Sequence, residues 1–346
     1  MLQVSRTFVT TARPALLARW LYVVAALIVA MVVVGGITRL TESGLSMTTW
    51  QPLTGAIPPI TDAQWQAEFA NYRRIPQYAQ LNAGMTLAGF KAIFFWEYLH
   101  RLMARVVVTA LVLPLIWFAV RRRIPAGYGL RFAALVALLA LQATVGWWMV
   151  ASGLEYRTEV SHLRLATHLL LALFTLGGTV WTALDLAALS RGPLSAPARL
   201  RWGTAAAIAL LFLQLAYGAF TAGLRAGYAF SSWPLMGDRL FPDGVPMVAP
   251  IWRNAIDNPI VVQFIHRWLA FAVAGALAWL AWRSFRVGAA RPARAVVLLV
   301  FVQIGLGIST LMSGVAIPIA VAHQANAALL VIAATCAAHA IGRRTA

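Results

Sequence analysis

Charge is what this chain has least of. Only 11% of its 346 residues are Asp, Glu, Lys or Arg, against about 25% in an ordinary soluble domain. A soluble globule of this length could not cover itself with so little polar surface. Disorder is excluded by the 61% hydrophobic content, since low hydrophobicity is its signature. Cysteine is almost absent, and the lone Cys336 rules out a disulfide framework and any thiolate-only zinc or iron–sulfur site. Acids are scarce too: ten against 28 basic residues, a formal net charge of +18. That excess does not make a nucleic-acid binder, which needs a basic face on a soluble domain with readers between the charges. Here the arginines come in short clusters between apolar runs, the positive-inside pattern. The expected surroundings are membrane lipid, with no nucleic acid as partner.

What is present is a series of apolar runs, each near the roughly 20 residues that a spanning helix needs. Eight are expected, from about Leu17 to Ile37, Phe94 to Val120, Leu130 to Ala151, His162 to Leu184, Trp202 to Leu224, Val261 to Trp282, Ala293 to Met312 and Ile317 to Ile341. The fold class is therefore all-α, a polytopic membrane protein. The stretch before Leu17 carries Arg6 and Arg13, but the run after it is too long for a signal peptide and reads as a retained first span. Arginines mark one side: Arg6, Arg13 and Arg19, then Arg121 to Arg123 and Arg131, Arg191, Arg199 and Arg201, Arg283, Arg286, Arg291 and Arg294, and Arg343 and Arg344. Of the ten acids only Asp185 joins them. The bias places both termini in the cytoplasm. Two long connections, about Thr38 to Lys91 and Arg225 to Ile260, fall on the outer side. Being rich in Pro, Gly and Trp, they are expected to be folded caps.

The chain also repeats itself. Thr38, Gly44 and Trp50 match Thr221, Gly227 and Trp233 at one offset, "EYLHR" from Glu97 matches "QFIHR" from Gln263, and Gln142 to Gly146 matches Gln303 to Gly307. His168 in "LATHL" answers His323 in "VAHQA". The reading is two four-helix bundles in a parallel repeat, residues 1–190 and 191–346.

Four of the six histidines fall in matched pairs, His100 with His168 and His266 with His323, each in the outer third of its helix. Ionisable groups inside a membrane are functional by default, and paired imidazoles from facing helices are a way to hold a porphyrin iron. A zinc site would need three or four ligands at one point. His162 and His339 have no counterparts and read as incidental. Arg101 and Arg267 follow the first histidine of each pair, where a guanidinium suits a heme propionate or an interfacial anchor. Trp50, Trp233, Trp96 and Trp268 are adequately explained as an aromatic belt. One difference separates the halves: Glu97, on the face of His100, stands where the second half has Gln263. A carboxylate can take a proton and an amide cannot, which suggests chemistry in the first half and electron storage in the second.

The motifs "GGITRLTESGLSMTTWQPLTGAIPP", "FKAIFFWEYLHR", "SHLRLATHLLLAL", "AGLRAGYAFSSWPLMGDRLFP", "VQFIHR" and "AHQANA" together resemble the heme A synthase family, in the form found in proteobacteria and mitochondria and tied to cytochrome oxidase assembly. The resemblance runs from about Gly35 to Ala328. It implies a bacterial inner-membrane oxidoreductase that converts heme O to heme A, oxidising a ring methyl to a formyl group in two steps through an alcohol. It further implies a heme b in the C-terminal half on His266 and His323 with Arg267 beside it. Substrate heme O would lie near His100, His168 and Arg101, with Glu97 as the catalytic carboxylate. Implied partners are the heme O synthase (a farnesyltransferase) and an electron donor such as a ferredoxin or reductase; assembly into a homo-oligomer is left open. The chain departs from the family pattern in three places. Ala88-Gly89 precede Phe90-Lys91 where a Glu is usual, Met103-Ala104 precede Arg105 where a Gly is common, and Arg225 replaces an acid. The cysteine pair found in the first outer loop of some relatives is missing, so a thiol mechanism built on it cannot operate. A diheme b-type electron-transfer cytochrome and a heme transporter remain as alternatives.

Overall fold

The computed structural model describes residues 12–51, 54–192 and 196–344; Arg6 lies outside them. Its helices are α1 (Pro14–Leu40), α2 (Asp62–Tyr72), α3 (Pro76–Leu81), α4 (Leu87–Val120), α5 (Gly129–Leu154), α6 (His162–Arg191), α7 (Trp202–Gly223), α8 (Asn254–Asp257), α9 (Pro259–Arg286), α10 (Ala290–Met312) and α11 (Ile317–Arg344). Eight of them, α1, α4, α5, α6, α7, α9, α10 and α11, are long and apolar enough to cross a membrane. The only β feature among the described residues is an isolated bridge between Met236 and Arg239.

Helix neighbours recur. Helix α1 packs on α4 and α6 as α7 packs on α9 and α11, and α5 lies on α6 as α10 lies on α11. Across the seam, α1 meets α11 and α6 meets α7, while α6 and α11 touch each other. The continuous core between them is built from Leu and Val with many small residues, which let helix backbones approach closely where no aqueous hydrophobic effect pulls them together.

Both ends of the bundle are pinned. At the arginine-rich end the Arg13 amide donates to the Arg123 carbonyl at 3.1 Å. The Asp185 carboxylate, fully buried, there accepts from Arg131 at 2.5 Å, from the Ala198 amide at 2.9 Å and from His339 at 2.9 Å. At the other end Arg39 reaches Glu159 at 2.7 Å and the Ala222 carbonyl at 3.1 Å, and Arg225 bonds Glu42 at 2.6 Å and also Glu159. Glu42 and Arg225, one residue past Thr41 and Leu224, both adopt the left-handed conformation, with φ of 55° and 52°.

The long connections are folded, as expected. A capping box at Thr61 and Gln64 starts α2, and Phe69, Tyr72, Phe90 and Phe94 close a separate aromatic core beneath it. Gln77 ties this cap down, accepting from the Tyr72 hydroxyl at 3.0 Å and donating to the Glu42 carbonyl at 3.1 Å. In the second connection Asn254 and Asn258 brace the chain by donating to the Val248 and Pro246 carbonyls. The Asn258 oxygen also caps α9, where Pro259 holds the first position. Helix α4 begins at Leu87 rather than near Phe94, because Thr86 caps it against the Gly89 amide at 3.2 Å.

Candidate functional site

Each of the four matched histidines sits over a glycine of a neighbouring helix. A Cβ placed on Gly35 of α1 would lie 3.1 Å from the His100 ring, on Gly146 of α5 2.8 Å from His168, on Gly218 of α7 3.2 Å from His266, and on Gly307 of α10 3.0 Å from His323. An alanine would have to push the ring aside at each seat. His100 is within electrostatic reach of His168, and His266 of His323. Sequence reasoning found the histidines but not their seats, although Gly146 and Gly307 stood in the matched third helices.

Glu97, only 2% exposed, is ringed by donors. One oxygen accepts from the Ser46 hydroxyl and the Met47 amide, each at 2.7 Å. The other accepts from Arg101 Nε at 3.1 Å and Nη2 at 2.6 Å. Ser46 lies in the first connection, so the carboxylate ties α4 to the cap as well as standing one turn from His100. The arrangement fixes a negative charge beside the first histidine pair.

Both arginines clasp the connection above them in the same way. Arg101 donates to the Met47 carbonyl at 2.7 Å and the Thr49 carbonyl at 2.9 Å. Arg267 donates to the register-matched Phe230 carbonyl at 3.0 Å and Ser232 carbonyl at 2.9 Å. The difference lies in the side chain three residues before each histidine. Glu97 takes Arg101 Nε, whereas Gln263 donates to the Phe230 carbonyl at 3.0 Å and leaves Arg267 Nε buried without a partner. Loop anchoring is thus part of the arginines' work in both halves, and a buried donor is left over in the second. A further carboxylate, absent from the sequence reading, joins the first half. Burial of Glu68 on α2 pushes its carboxyl above the usual range, Arg101 pulls it back and Glu97 pushes it up again.

His162 and His339 lie apart from the pairs, and both have structural work. His339 bonds Asp185 and packs edge-on against Trp181. His162 packs under Gly223 and lies 3.2 Å from Asp257. The tryptophans are less uniform than a belt: Trp233 stacks on Trp268 and Phe271, while Trp50 meets Trp147 edge-on.

The donor set fits a porphyrin better than a bare ion. Among the described residues no three His, Cys, Asp or Glu side chains gather where they could hold a metal, so a zinc ion has no cage. A heme brings its own equatorial nitrogens and asks the protein only for axial ligands, which a facing histidine pair supplies. Some of the buried polar atoms without partners lie at these histidines and arginines: Gln142 Oε1, Gln214 Oε1, His323 Nδ1 and Arg267 Nε. Buried polar groups are ordinarily paired; a heme iron offers a partner to His323 Nδ1, and a propionate offers one to Arg267 Nε.

Known proteins resemble this chain over nearly its whole length. The model of a family described as cytochrome oxidase assembly protein matches residues 18–335. Curated relatives named heme A synthase include one from Sphingopyxis alaskensis, 55% identical over 96% of this chain and 94% of its own length. Another, from Rhizorhabdus wittichii, is 55% identical over 96% and 95%. A more distant one from Rhodospirillum centenum is 45% identical over 93% and 87%.

Proposed function

The chain belongs to the cytochrome oxidase assembly family of heme A synthases, and from that premise we propose that it oxidises the ring methyl of heme O to a formyl group in two successive two-electron steps through the alcohol. The observation that carries the reading is the pair of matched histidine sites that differ at Glu97 and Gln263.

In this reading residues 1–190 form the substrate unit and residues 191–346 the electron-storing unit, two parallel copies of one four-helix plan. His100 and His168 hold the iron of heme O. His266 and His323 hold heme b, whose contribution when bound is to accept and pass on single electrons. Arg267 offers its unpartnered Nε to a propionate. Arg101, already engaged by Glu97 and two carbonyls, holds the cap closed over the substrate and keeps one Nη1 hydrogen for an acceptor. Glu97 supplies a fixed negative charge beside the methyl group being oxidised, where it stabilises developing positive charge or accepts a proton.

The protein is a multi-pass membrane protein. We place it in the bacterial inner membrane with the arginine-rich end and both termini in the cytoplasm and the histidine pairs toward the periplasm. Heme O synthase as the supplier of substrate and a ferredoxin or reductase as the electron donor complete the reading. A diheme electron-transfer cytochrome would use the histidines but give Glu97 nothing to do beyond anchoring the cap.

The test is the pigment content of the purified chain. Extracts should contain heme b together with heme O or heme A. His266→Ala or His323→Ala should abolish most of the b-type absorption while the chain still inserts. A full b spectrum in both variants would overturn the assignment of the C-terminal site, and heme b as the sole pigment would favour the cytochrome.

A further inference from the structure

Two glycines stand side by side on α1, and they serve different halves of the molecule. Gly35 seats His100 of the first half. A Cβ on Gly36 would instead lie 2.9 Å from Gln324 Oε1 and 3.1 Å from Gln324 Cδ. Gln324 belongs to α11 and directly follows His323. Its Nε2 donates to the Val32 carbonyl at 2.8 Å, so the amide spans one turn of α1. The Val32 oxygen is already the helical partner of the Gly36 amide, and its second lone pair takes the glutamine. Successive residues of a helix point about 100° apart, which is how neighbouring glycines receive a ring from α4 and an amide from α11. Helix α1 is also held to α4 close to His100, because the Thr38 hydroxyl lies 2.9 Å from the Val34 carbonyl and 3.2 Å from the Trp96 carbonyl.

The repeat supplies a second seam of the same kind, α6 against α7. There the residues in register are Leu169, which follows His168, and Ala219, which follows Gly218. Apolar packing is non-directional, whereas a hydrogen bond to a backbone carbonyl sets both a distance and an angle. Of the two matched positions, the one on α1 and α11 carries a bond. It joins the residue beside a ligand of the second site to the helix that seats a ligand of the first.

We propose that Gln324 is a positioning residue for the passage of an electron between the two heme sites. Covalent bonds, one hydrogen bond and one packed contact run from His323 through Gln324 and α1 to Gly35 and the ring of His100. Electrons tunnel more readily through bonds, hydrogen bonds included, than across a gap. The step moves one electron: heme b goes from ferrous to ferric, and the heme on His100 and His168 from ferric to ferrous. The proposal rests on the reading above that heme b occupies the C-terminal half and heme O the N-terminal half.

Anaerobic stopped-flow mixing reads this step without turnover. The full-length protein, its heme b reduced beforehand and excess reductant removed, is mixed with saturating ferric heme O while the ferrous b absorption is followed. Gln324→Met keeps the bulk and removes the donor. Gly36→Ala keeps the glutamine and pushes its amide away from Val32. Gly36→Ala combined with Gln324→Leu copies the residues of the other seam, which the fold already accommodates. Each variant should keep heme b with the parent spectrum and midpoint potential, and pass the electron several-fold more slowly. Since the two single changes break one bond, Gly36→Ala combined with Gln324→Met should be no slower than either alone. Additive slowing, or transfer at the parent rate in every variant, would overturn the proposal. So would loss of heme b from both single variants, which would make the contact a structural one. If His266→Ala and His323→Ala keep their b absorption, it is the site assignment that has failed. If they lose it while the seam variants match the parent, only the role of Gln324 has failed. Should one seam variant not accumulate, the others still decide.

Discussion

Glu97→Gln makes the first site resemble the second, and its consequences can be worked from the donors around the carboxylate. Glutamine keeps one acceptor oxygen and replaces the other by an NH2 group. If the NH2 faced Arg101 it would oppose both Nε and Nη2, which now bond at 3.1 and 2.6 Å. The amide therefore settles the other way, with its oxygen toward Arg101 and its nitrogen toward Ser46 and Met47. The Ser46 hydroxyl can turn and accept. The Met47 amide cannot, and a buried donor left without an acceptor costs about 1–3 kcal/mol. Cap and helix are still joined by Arg101, which holds the Met47 and Thr49 carbonyls, so the chain should fold with a modestly lowered Tm. Catalysis should suffer more, by about 10²-fold or beyond, the scale for losing a positioned acid–base group. The assay is chromatography of pigments made by cells carrying the variant, beside the b spectrum and thermal unfolding of the purified protein. Heme O or its alcohol should replace heme A while heme b remains. Heme A at the parent rate, with the small loss of stability present, would show that Glu97 serves only to anchor the cap.

Two further outcomes follow from other parts of the molecule. Asp185→Asn should destabilise the purified protein by about 2–4 kcal/mol, toward the lower end for a broken buried ion pair because the Arg131 side chain is 32% exposed and can turn to water; an unchanged unfolding midpoint would show that the cluster with His339 is dispensable. A cysteine at Ser232, near the start of the second connection, should react with an impermeant thiol reagent in intact cells, and one at Thr345, outside the described residues, should not; the reverse pattern would invert the orientation.

The spans and the histidine pairs were legible because a bilayer imposes length on helices and makes every intramembrane ionisable group conspicuous. Less of the caps could be read. The Thr61–Gln64 capping box was visible in the letters, but the aromatic core of Phe69, Tyr72, Phe90 and Phe94 depends on how α2 folds back on α4. The glycine seats were hidden for a related reason. Glycine is ordinary in such helices, and only the helix pairing shows which one meets a ring. His339 looked incidental because its partner, Asp185, lies 154 positions away in sequence. The departure at Arg225 became intelligible only when its partners proved to be Glu42 and Glu159.

Glu42 and Arg225 occupy the same register position in the two sets of four helices, and they meet each other. A residue that faces its own counterpart can form an ion pair only if the two differ. Two identical polypeptides packed in this way would set Glu against Glu or Arg against Arg, and like charges held so close repel. Covalent joining removes that constraint. Once both copies lie on one chain, each position can be altered without altering its twin, which a symmetric dimer forbids. The same freedom permits Glu97 in one copy and Gln263 in the other. A fused duplicate can divide its labour between two sites, where a homodimer must give both sites the same task.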